Sequence, residues 1–235
     1  MTMTEIDFSA GLFGKLRAGA GQIWESYVDH EFVRVLGTGE LPEACFRRFL
    51  VQDYLFLKHF ARAYGLAVYK SQTVSDIRAA NAALQGILQE VPLHVTYCAR
   101  WGLSEAQMQY EPEANATITY TRYVNDIGNS GDLLDLLVAL MPCVAGYAEI
   151  GQRLLAAPTT RIEGNPYGSW IENYKGEEYH EMVAASLCKF EDIGQRYGGE
   201  TRLARLQEIF TTASRLEADF WQMGMDADPR RKTGA

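Results

Sequence analysis

Cys143 follows Pro142 in the stretch "ALMPCVAGYAEIGQ" (139–152), and Tyr147 stands four residues beyond it. On a helix, that spacing puts thiol and phenol on one face. The proline denies the backbone a hydrogen bond to Val138 and promotes a bend. A thiol aimed by a bend at a phenol is a candidate nucleophile. A cysteine in an apolar helix is also a good packing residue, and apolar surroundings raise its pKa, the wrong direction for a nucleophile. Spacing alone leaves Cys143 inert, in the same class as Cys45, Cys98 and Cys188.

Acids among apolar neighbours are rarer. Asp53 lies in "FLVQDYLFLKHF" (49–60) amid Phe49, Leu50, Phe56, Leu57 and Phe60. Glu217 lies in "ASRLEADFWQMG" (213–224), with Phe220 and Trp221 three and four residues on and therefore on its face. Each carboxylate either reaches water at a helix edge or lines a semi-apolar pocket, where its pKa rises towards general-acid duty. Tyr120, Tyr147 and Tyr174 are three of thirteen tyrosines, most of which must simply pack. Metal ligation has one trace: Glu177-x-x-His180 matches the spacing of di-iron helical bundles once. Glu90 and His94 are four apart with Pro92 between them, and the four cysteines form no C-x-x-C pair. No metal is expected, and a di-iron oxidative enzyme is the alternative.

Helices must position these groups, because apolar residues recur with helical period throughout and no alternating strand is evident. Helices are expected at Phe8–Tyr27, at His30–Leu36 before "GTGE", and from Pro42 to Tyr69. Others are expected from Ser75 to about Trp101 with a possible bend at Pro92, and in a short piece capped by Ser104 and Gln107. Further helices end near Ile127, span Asp132 to about Leu155, surround Ser169–Tyr174, and cover Glu177–Tyr197 and Arg202–Met225. Eight or so helices in one all-α, bundle-like domain over 1–227 are implied, with 228–235 as a frayed tail.

A net charge of −8 excludes partners that need a basic face, nucleic acid first among them. The apolar run Leu133–Ala148 is interrupted by Asp135 and short for a bilayer, so no membrane partner is expected. The acidic, polar beginning is no secretory signal, and a cytoplasmic location is expected.

Taken in order and spacing, "LVQDYLFLKHFARAYG" (50–65), "LMPCVAGYAEIGQRLL" (140–155), "YGSWIENYKGEEY" (167–179) and "SRLEADFWQMG" (214–224) resemble the TenA or thiaminase II family. The resemblance runs from about Trp24 to Met225. It implies a haem-oxygenase-like helical fold without haem, a homotetramer, and no cofactor or metal. The implied activity is aminopyrimidine hydrolysis in thiamin salvage: 4-amino-5-aminomethyl-2-methylpyrimidine becomes the hydroxymethyl pyrimidine with release of ammonia, and thiamin is split more slowly. On this resemblance Cys143 is the nucleophile, Glu217 the acid/base, and Asp53 the carboxylate that grips the amidine-like edge of the ring. Tyr120, Tyr147 and Tyr174 are pocket tyrosines. Phe56 stands where some relatives carry Tyr, and Phe220 completes the aromatic lining.

Overall fold

The computed structural model describes residues 6–233, and among them there are eleven α-helices and no strand. In chain order they are α1 (Gly11–Ala20), α2 (Gln22–Val28), α3 (Glu31–Thr38), α4 (Glu43–Lys70), α5 (Val74–Ala99) and α6 (Glu105–Gln109). α7 (Asn115–Ser130), α8 (Leu133–Ala156), α9 (Gly168–Lys175), α10 (Glu177–Tyr197) and α11 (Glu200–Met225) follow. The all-α expectation holds. The first expected helix is two, because Gly21 adopts φ 51° and ends α1 before α2 begins. Pro92 sits inside an unbroken α5. The capping box expected at Ser104 and Gln107 is formed in both directions.

The expected tail differs. Pro229–Thr233 forms a 3-10 turn, because buried Asp228 accepts from the Arg230 backbone and guanidinium. Residues 234 and 235 lie outside the described residues.

The helices assemble two compact units, each drawn from two stretches of chain. The first comprises residues up to Leu41 with Leu137–Ala218. Its core is aromatic: Trp24 stacks on Phe210 at 5.4 Å, and Phe13 meets both edge-on. Beside that core Glu149 of α8 is buried and accepts from Arg17, Arg153 and the Trp24 indole.

At Pro142 a side chain from α2 meets α8. The Tyr27 hydroxyl donates to the Pro142 carbonyl at 3.2 Å. The ring reaches that position because position 146 has no side chain. A Cβ there would lie 2.3 Å from the Tyr27 ring. Gly146 is thus explained by close approach, not by backbone freedom.

The second unit comprises Pro42–Leu136 with the residues from Asp219 onward. α4 is its axis, and α5 and α7 pack along it. Gln52 of α4 pins the start of α7: its amide donates to the Pro112 carbonyl and accepts from the Ala114 backbone and the Thr117 hydroxyl.

α8 is a correction to the reading of a run too short for a bilayer. It is long and apolar enough to cross one, but 89% of its most apolar stretch is buried in protein, as in a core helix.

Candidate functional site

In the second unit α4 presents Phe49, Asp53, Phe56 and Phe60 at i, i+4, i+7 and i+11, which is one stripe of a helix. Phe56 stacks on Phe60 at 5.2 Å and lies 5.0 Å from the Tyr120 ring of α7. Phe220 packs against Phe49 at 6.0 Å and Phe56 at 5.7 Å, so it touches the stripe on both sides of Asp53. Four expected site residues, Asp53, Phe56, Tyr120 and Phe220, are therefore gathered on one wall.

Asp53 is only 5% exposed. Its Oδ2 meets His94 Nε2 of α5 at 2.6 Å. Among the described residues no donor meets Oδ1. The other ring nitrogen of His94, Nδ1, lies 3.3 Å from the Glu90 carbonyl, an acceptor only, so Nδ1 carries a hydrogen. Burial opposes charge on His94, but the hydrogen bond and field of Asp53, helped by Glu90, outweigh it and raise the pKa to about 9. His94 was missed as a site residue. Its signals were the four-residue step from Glu90 and a histidine facing an apolar helix. Ligand atoms of Asp53, Glu90 and His94 lie within 4.8 Å of one another, so these three are the residues of this wall that could hold a metal ion. The Glu177/His180 pair does not converge: Glu177 is exposed while His180 is buried and kept neutral by that burial.

In the first unit Cys143, Tyr147 and Gly151 form another i, i+4, i+8 stripe, on α8. Tyr147 packs on Tyr174 of α9 at 5.0 Å and on Trp170 at 6.1 Å. Gly151 lets α9 approach, since a Cβ there would lie 2.6 Å from the Tyr174 carbonyl. Tyr147 and Tyr174 are thus brought together on the face that carries Cys143. Glu217 belongs to this unit and is buried on α11. Cys143 is half-buried, while Cys45 and Cys98 are fully buried. Burial pushes both buried thiols up, Cys98 to about 11, as befits packing residues. Cys188 departs from the buried reading and is exposed. A polar hollow of about 520 Å³ in this unit, lined by Asp7, Ser9, Arg17, Glu149, Gln152 and Arg153 among others, contains none of the expected site residues.

Residues 17–227 match the model of the TENA/THI-4/PQQC family. The chain belongs to that family. A family relative from Haemophilus influenzae, an uncharacterized protein, is 40% identical over 209 residues, covering 86% of this chain and 94% of its own. The aminopyrimidine aminohydrolase of Halalkalibacterium halodurans is 33% identical over 220 residues, with 93% and 95% covered. Among solved structures, a TenA family transcription regulator from Silicibacter sp. TM1040 superposes with a TM-score of 0.87 at 40% identity, covering 95% of this chain and all of that one. A Shewanella denitrificans domain of unknown function with a heme oxygenase-like fold superposes with a TM-score of 0.72 at 14% identity, covering 99% and 97%. That last likeness concerns fold alone, and it agrees with the haem-oxygenase-like architecture expected for the family.

Proposed function

We propose that the protein is a thiamin-salvage hydrolase that converts 4-amino-5-aminomethyl-2-methylpyrimidine to the hydroxymethyl pyrimidine and ammonia. The observation that carries this reading is Asp53, buried on an aromatic wall with one carboxylate oxygen left for a donor. A flat ring with an N–H at its edge satisfies both features: the rings stack it, and Oδ1 accepts from its amine. The relative named aminopyrimidine aminohydrolase at 33% identity supports the same substrate class.

In this reading the Cys143 thiolate adds to a carbon of the electron-poor ring and dearomatises it. Ammonia leaves from the exocyclic methylene, carrying a proton given by Glu217. Water then adds to that carbon and returns a proton to Glu217. Expulsion of the thiolate restores aromaticity, so one poor displacement becomes two easier steps. Tyr147 and Tyr174 line the pocket near the sulfur. Thiamin is cleaved more slowly by the same route. The protein acts in the cytoplasm as a homotetramer, without nucleic acid or membrane partners.

Cys143→Ala and Glu217→Gln test the roles on the purified protein. Turnover of the aminomethyl pyrimidine is expected to fall about 10²–10⁴-fold for the acid/base and at least as far for the nucleophile. Near-native turnover in either variant ends that assignment. Two iron ions per chain in the isolated protein, with turnover that follows them, would favour the oxidative alternative.

A further inference from the structure

We propose that His94 is a positioning residue for the aminopyrimidine: it occupies Oδ2 of Asp53 and so holds Oδ1 towards the amidine edge of the ring. The inference rests on the function proposed above and adds a residue to it.

Three observations converge. The Asp53–His94 contact is short, 2.6 Å, and both side chains are buried. Nδ1 of His94 is committed to a carbonyl, so the ring cannot turn to offer a different edge. Among the described residues Asp53 has no second partner, although a buried carboxylate ordinarily collects several. A carboxylate held at Oδ2 presents an Oδ1 still open to accept.

His94→Leu removes the donor to Oδ2. For that variant, folded by circular dichroism, KM for the aminomethyl pyrimidine is expected to rise about tenfold or more, with kcat changed much less. His94→Gln, whose amide can still donate to Oδ2, should recover most of the lost KM.

Wild-type KM in His94→Leu would overturn the positioning role while leaving the hydrolase intact, and so would a His94→Gln variant no better than His94→Leu. Turnover abolished by EDTA and restored by Zn²⁺ would put a metal between these side chains and also overturn it. A wild type that neither binds nor turns over an aminopyrimidine would remove the proposed function itself, and this role with it.

Discussion

Two buried carboxylates, one in each unit, are held in opposite ways. Glu149 is 4% exposed and Asp53 5%, so burial does not distinguish them. Glu149 fills both oxygens with two guanidiniums and an indole, partners that never lose their hydrogens at any ordinary pH. Asp53 has one partner, a titratable ring, on one oxygen. The first arrangement is finished and can only hold helices together. The second leaves capacity over, and leftover hydrogen-bonding capacity in a buried acid is a better pointer to a site than burial.

Removing charge at each acid is the severest way to break this comparison. Glu149→Gln leaves half-buried Arg17 beside an amide, while Arg153 keeps Glu25. The expected loss is about 2 kcal/mol of stability, or roughly a 5 °C fall in melting temperature for a chain of this size. A thermal melt showing a shift of only a degree or two would mean that the cluster is no rivet. Asp53→Asn should act chiefly on binding. Affinity for the hydroxymethyl pyrimidine, read by calorimetric titration, should fall about tenfold to a hundredfold, the worth of one charge-assisted hydrogen bond. If Asp53→Asn lowers the melting temperature as far as Glu149→Gln, the contrast between the two acids is lost.

The pH dependence of stability sharpens the same contrast with smaller effects. Burial raises the Glu149 pKa but its arginines outweigh that and hold it below the usual carboxylate range. Its contribution is present above that range and lost as pH falls through the depressed value. The pKa of His94 is raised, so its contribution is complete below about 6.5 and lost as pH rises towards about 9. Urea unfolding across pH 4–10 should therefore weaken at both ends. Glu149→Gln should flatten only the acid side and Asp53→Asn only the alkaline side. A variant that flattens the other limb refutes the assignment for that group.

Much of this was legible in the sequence, for reasons that mark where legibility stops. Phe49, Asp53, Phe56 and Phe60 declare a stripe by spacing alone, and so do Cys143 and Tyr147, because one helix sets their relation. Ser104 and Gln107 declare a cap because the motif is local. His94 did not declare itself: its partner is 41 residues away on another helix, and Pro92 beside it suggested a bend that α5 does not need. The Glu149 cluster joins Arg17 across 132 positions, beyond the reach of any periodicity. Gly21 was invisible as a break because glycine is tolerated within helices, and only its φ of 51° decides the matter.

The Tyr27 ring fills the space where a side chain at position 146 would be, and its hydroxyl reaches the carbonyl of the proline at 142. Neither position can therefore drift independently. A methyl group at 146 is admissible only once the phenol at 27 has shrunk, and a smaller residue at 27 forfeits a donor to α8. In evolutionary terms the two sites are a single character, and descendants of this chain should inherit both states or change both.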